Sequence, residues 1–195
     1  MSAARISAGC LSWMIAAVAV AAPPAFDLPQ LMAMLARVDR SVVAFEETRH
    51  FAVLAAPVVR RGTLQYVRPD RLEMRVATPI PETVEIVGSR IRIASTDGRR
   101  EWDLAGQPVA LAWIEGIRAS LAGDTESLTR RFRSGLSGTA DAWAMRLEPI
   151  DARVAAALAR VDVRGRRAQI LSIEILDAQG DRIAIALTPS EGSPP

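Results

Sequence analysis

Catalysis at neutral pH needs a proton shuttle, an activated nucleophile or a cluster of metal ligands, and this chain of 195 residues offers one His and one Cys, His50 and Cys10. No disulfide framework, CxxC redox pair or Cys/His zinc site can be assembled from that pair within one chain. The nearest approach to a GxSxG nucleophile elbow is Gly135-Leu136-Ser137-Gly138, which lacks the final spacing and sits where a hairpin turn is expected. His50 follows Thr48-Arg49 on an expected strand and reads as a strand histidine, not a catalytic base. Glu46 and Glu47 are adjacent on that strand, so their side chains point to opposite faces and cannot share a proton. All 24 basic residues are Arg, which excludes the Lys-dependent phosphate loop, and the EF-hand and HExxH patterns are absent too. The sequence therefore predicts no enzyme, no catalytic residue, no metal and no cofactor.

Apolar surface remains as the material for function. Half of the residues are apolar, 24% are charged and 5% are aromatic, the balance of a globular chain long enough for one domain. Residues 1–21 read as an export signal: Arg5 is the only charge, an apolar stretch runs from Cys10 to Ala22, and Ala19 and Ala21 form an A-x-A-like cleavage site. That stretch is too short to span a bilayer. Cys10 does not make a lipobox, because Ile6-Ser7-Ala8-Gly9 lacks the Leu expected three positions before it. Cleavage would remove one Arg and no acid, leaving 23 Arg against 22 acidic residues, with no electrostatic footprint for nucleic acid. The predicted organisation is thus a signal peptide at 1–21, one domain at 22–188 and a disordered Pro-rich tail at 189–195, the mature protein being periplasmic and monomeric.

Residues 28 to 40 place Leu31, Met34, Leu35 and Val38 at helical spacing behind Asp27 as a cap. Beyond them the period falls to two. Arg71-Leu72-Glu73-Met74-Arg75-Val76 alternates charged and apolar side chains as a half-buried strand does, and the same alternation returns at residues 83–86, 90–93, 161–164 and 182–187. Turn residues separate these runs at Gly88-Ser89, Asp97-Gly98, Ser137-Gly138, Gly165-Arg166 and Gln179-Gly180. The pattern predicts about eleven strands, at 42–54, 58–67, 70–77, 82–87, 90–95, 99–104, 130–137, 141–149, 158–164, 167–176 and 181–187. Only Pro108 to Thr129 breaks it, with helical spacing interrupted by Gly116 and Gly123, and predicts a lid of two short helices. So many strands must curl, and the expected fold is mainly β: a curved antiparallel sheet forming an unclosed barrel covered by a short helical lid.

The inward positions of that sheet are Leu64 and Tyr66, then Leu72 and Met74, then Val84, Ile86, Ile91 and Ile93, and on the far side Trp143, Met145 and Leu147. They make a broad apolar concave face. It is either an ordinary core under the helices or the lining of a cavity for an apolar guest, with Trp102 and Trp113 as further candidate contacts.

Phe45-Glu46-Glu47, the run Gly62-Thr63-Leu64-Gln65-Tyr66-Val67-Arg68-Pro69-Asp70-Arg71-Leu72, then Pro79 and the hairpin at Gly88 resemble the LolA family of periplasmic lipoprotein carriers. The resemblance is best over residues 28–104. It implies an unclosed β-barrel with a helical lid, an apolar cavity that receives acyl chains of lipoproteins or another lipid, and traffic from an inner-membrane ABC transporter or lipid exporter to an outer-membrane acceptor. It also implies a role for Arg68: bonding to lid backbone and holding the empty cavity shut, for which a forked guanidinium suits better than Lys. The chain departs from the family at Leu72, where an aromatic residue is usual at the cavity mouth, and in its short Pro-rich tail. It therefore resembles a divergent member. The alternative is a sensor or accessory subunit of a lipid exporter whose interior is filled and whose sheet binds a protein partner.

Overall fold

The computed structural model describes residues 26–189, so the expected signal peptide at 1–21 and residues 190–195 of the tail lie outside the described residues. Helix α1, Leu28–Leu35, starts where Asp27 accepts from the Gln30 amide at 2.9 Å while the Gln30 side chain accepts from the Asp27 amide at 3.3 Å. This reciprocal cap satisfies two of the donors that a helix start leaves free. The helix stops at Leu35, short of the expected residue 40. Tight turns follow, from the Arg37 amide to Met34 O at 3.3 Å and from the Val38 amide to Leu35 O at 3.0 Å. The β-branched pair Val42-Val43 then favours strand.

Eleven strands follow among the described residues: β1 Arg40–His50, β2 Val58–Val67, β3 Arg71–Thr78, β4 Glu82–Val87, β5 Arg90–Ser95, β6 Gly98–Asp103, β7 Phe132–Thr139, β8 Ala142–Pro149, β9 Leu158–Arg166, β10 Gln169–Asp177 and β11 Arg182–Pro189. They form one antiparallel sheet in the order β6-β5-β4-β3-β2-β1-β11-β10-β9-β8-β7. The first and last strands in that order do not pair, so the sheet curls without closing into a barrel. Edge strand β6 carries Arg99, Arg100 and Glu101, charges that discourage pairing with a foreign strand.

Most strand ends fall within two residues of the sequence expectation, and four differences are informative. β1 ends at His50 and not at residue 54, because Asp181 Oδ1 accepts from the Ala52 amide at 2.7 Å and a turn closes from the Leu54 amide to Phe51 O. β7 starts at Phe132 and not at residue 130, because helix α3, Thr125–Arg131, is capped by Asp124 and runs to Arg131. The lid helix α2, Pro108–Ala122, passes through Gly116 without a break, since a Cβ there would stand 2.8 Å from the Phe132 ring and the missing side chain is a packing requirement. β11 includes Pro189, the first residue of the expected tail. A fourth helix, α4 at Ala152–Ala155, was not expected from the sequence; Asp151 caps it by accepting from the Arg153 amide at 2.8 Å.

Register fixes which side chains look inward. Val43 pairs Leu64 and Leu64 pairs Met74, Met74 pairs Val84 and Val84 pairs Ile93. The neighbouring row runs Tyr66, Leu72, Ile86, Ile91, Trp102. On the other half of the sheet the inward row is Ile185, Ile173, Val163, Met145, Leu136. Helices α1, α2 and α3 pack against one another, and most of their buried apolar residues join those of the inward face in one core, while Ile114 of α2 packs in a smaller cluster with Leu104 and Ile86.

Candidate apolar cavity and its lid

A cavity of about 520 Å³ lies between the end of α1, the end of α2 and the inner face of β1, β2 and β11. Leu35 and Val38, Val43, Leu64 and Tyr66, Leu121, Ile170 and Leu187 make its walls largely apolar. Its size falls in the range of small-molecule sites. A second apolar hollow of about 450 Å³ sits at the opposite end of α2, between Val109 and Ala110 of the helix and Leu158, Ile175 and Ile183 of the sheet. Helix α2 therefore lies between two hollows on one concave face.

The residues expected to line a cavity divide into three groups. Leu64 and Tyr66 border the larger hollow. Burial raises the Tyr66 phenol above its ordinary value, the nearby Arg68 charge opposing, and its hydroxyl donates to Pro69 O at 3.4 Å. Leu72, Met74, Val84, Ile91 and Ile93 are half-buried on the concave face, while Ile86 is buried against Leu104 and Ile114 of the lid segment, with Trp102 packed on the same cluster. Trp143 and Met145 are packed in the core: the Trp143 ring lies against Gly165, where a Cβ would come within 2.2 Å of it, and its indole N–H donates to Arg167 O at 2.9 Å. Leu147 is buried with them. Trp113 belongs to α2, and its side chain lies outside the described residues. His50 is exposed at the end of β1, and Ser137 is exposed with its hydroxyl on Ala144 O.

Arg68 stands on the β2–β3 turn. Its guanidinium donates to Ala36 O, at the end of α1, and to Ala122 O, at the end of α2, the latter at 3.0 Å. Asp39 lies 3.5 Å from its Nε. One side chain can hold both carbonyls only if the two helix ends meet, and Gly123 permits this. Gly123 ends α2 at φ 65°, and a Cβ there would stand 2.2 Å from Met32 O and 2.6 Å from Ala36 N. A second arginine ties the lid to the sheet: Arg118 of α2 donates to Gly88 O in the β4–β5 turn at 3.0 Å.

Sequence reasoning missed a charged cluster on the inner face. Glu47, 2% exposed, accepts from Arg49 Nε at 2.5 Å and lies 3.4 Å from Arg60, which also reaches Glu82 at 2.9 Å. Burying a carboxylate is costly unless partners of this kind compensate it. The signal was present in the sequence: Glu47 and Arg49 are in phase with the inward Phe45, two and four residues on.

A sequence profile described as outer membrane lipoprotein carrier protein LolA-like matches residues 20–190. The chain belongs to this LolA-like family. Among curated proteins no sequence matches it. Solved structures similar to this LolA-like chain include a LolA superfamily protein of Nitrosomonas europaea, 10% identical, with a TM-score of 0.47 over 87% of this chain and 96% of that one. Another is Pseudomonas aeruginosa MucB solved in complex with MucA, 15% identical, TM-score 0.43, over 85% of this chain and 59% of that one. A third is LprF of Mycobacterium bovis, 10% identical, TM-score 0.32, over 86% and 94%. The LolA-like chain keeps Leu72 where the family resemblance implies an aromatic residue, and this Leu contacts both the main core and the lid cluster.

Proposed function

We propose that this protein is a periplasmic carrier, without covalent chemistry, that holds acyl chains of a lipoprotein or a related lipid in its concave interior. In this reading it takes them from an inner-membrane ABC transporter or lipid exporter to an outer-membrane acceptor. The observation that carries the reading is the apolar hollow of about 520 Å³ beside the lid, in a chain of the LolA-like family. Residues 1–21 act as the export signal, and the domain follows from residue 22. Arg68 and Arg118 hold α2 down when the interior is empty. Displacing α2 joins the two hollows, and Met74, Val84 and Ile93, already half-buried, become contacts for the guest. Each methylene buried contributes about 0.8 kcal/mol, so a long chain held only in part stays bound yet can be surrendered.

The test is mass spectrometry of organic extracts from protein purified out of its native periplasm without detergent. The carrier reading expects near-stoichiometric acylated material. A clean extract, together with no uptake of a fluorescent fatty acid, would overturn it in favour of a filled interior and a sheet that binds a protein partner.

A further inference from the structure

The two rims of the sheet differ in chemistry. Antiparallel connectivity puts the β1–β2, β3–β4, β5–β6, β8–β9 and β10–β11 connections on one rim, the β5–β6 turn Thr96-Asp97 being its charged end, and the β2–β3, β4–β5, β7–β8 and β9–β10 turns on the other. The second rim is made of Arg68-Pro69-Asp70, Gly88-Ser89, Ala140-Asp141 and Arg167-Ala168. On the first rim, the β1–β2 loop is Phe51-Ala52-Val53-Leu54-Ala55-Ala56-Pro57, seven residues without a polar side chain. Val53 is 91% exposed and Leu54 50%. Next to it the β3–β4 connection Pro79-Ile80-Pro81 leaves Ile80 65% exposed, the Arg61–Thr78 pairing setting the two loops side by side. Ile150, 46% exposed, follows β8 on the same rim. The smaller hollow, with Ile183 and Leu158 in its wall, opens here too.

We propose that this rim docks on a zwitterionic lipid bilayer, with Val53, Leu54 and Ile80 entering the interface beside the opening of the hollow. Charge selects a lipid surface over a charged protein. Arg60 and Arg61, beneath the loop, face Glu47, Glu82 and Glu46, Arg182 faces Glu174, and Arg153 faces Asp151, so these cations are already neutralised. The Asp181 bond to the Ala52 amide holds the base of the loop, so its tip is presented without further ordering. Three or four modest side chains give a weak, reversible contact of the kind a shuttling protein requires. The inference rests on the carrier reading only in that the guest is a membrane lipid.

Cys10 is the sole cysteine and falls in the 1–21 export signal, so in the protein from residue 22 onward Leu54→Cys gives a unique attachment point for the fluorophore NBD. Leu171→Cys, 40% exposed on β10 toward the opposite rim, is the control. With protein-free phosphatidylcholine vesicles, the expected result is a blue-shifted, brighter emission at position 54, no change at 171, and little effect of added salt. Changing Val53 and Leu54 to Ser lowers the partitioning about tenfold. No response at position 54 overturns the proposal, as does a response that needs anionic lipid and disappears in salt, or one that needs envelope proteins in the vesicles. Fatty-acid uptake by the wild-type protein in solution is measured alongside. Its absence counts against the carrier reading, and its presence with a silent position 54 counts against the docking rim alone.

Discussion

Arg68 and Glu47 are both charges held by specific partners, yet they do different things. Arg68 joins the ends of α1 and α2 to the β2–β3 turn through two carbonyls. Arg68→Lys keeps the charge but loses the fork, so the end of α2 should open more often. Amide exchange at Gly123 and Asp124 is expected to speed up about tenfold, the scale of one lost charged hydrogen bond, while the core strands stay protected. Unchanged exchange would remove Arg68 from the lid's fastening. Glu47 has no such mobile role. It is buried among Arg49 and Arg60, and Glu47→Ala leaves those cations with only Glu82 near. Urea unfolding should show a loss of about 3 kcal/mol.

At the scale of elements, the lid depends on its caps. Asp124 accepts from the Ser127 amide at 3.0 Å, and hydrogen bonds from the Ser127 side chain and backbone hold its carboxyl below the ordinary carboxylate range. A folded-state value lower than the unfolded one means that the stabilisation is complete above the unfolded value, about pH 3.9, and is lost as pH falls through the folded value. Asp124→Ala should cost about 1 kcal/mol at pH 7, with the loss shrinking below pH 4, whereas Asp124→Asn should keep most of the cap and lose the acid dependence. Urea titrations at pH 7 and pH 3 distinguish these outcomes. The strands themselves were legible in the sequence because period-two alternation and turn residues are local signals: 71–76 announced β3 without any tertiary information. What covers an inward face is not local. Leu64 and Trp143 carry the same alternation, yet one borders a hollow and the other is sealed by Gly165. Arg68 was legible only through the family resemblance, since nothing near it in sequence says that Ala36 and Ala122 converge on it. Helix α4 escaped because four residues are too few for a period, and Gly116 misled because a packing glycine and a helix break look alike in sequence.

The whole molecule is an open sheet with a helix across its concave face and apolar space at both ends of that helix. Such an arrangement stores no guest energy in a closed core, so binding should add stability. At a free fatty-acid concentration one hundred times the dissociation constant, unfolding free energy should rise by about 2.7 kcal/mol, read as a higher thermal midpoint. The most direct test of the carrier account is equilibrium titration of a fluorescent fatty acid into wild-type protein and Leu64→Trp. Leu64 is buried in the core and borders the larger hollow, so the added indole volume is directed into space that is empty in the fold. The account predicts saturable uptake by the wild type and at least about a tenfold weaker affinity for Leu64→Trp, with an unaltered circular dichroism spectrum. Equal uptake by both proteins, or none by the wild type, would contradict it.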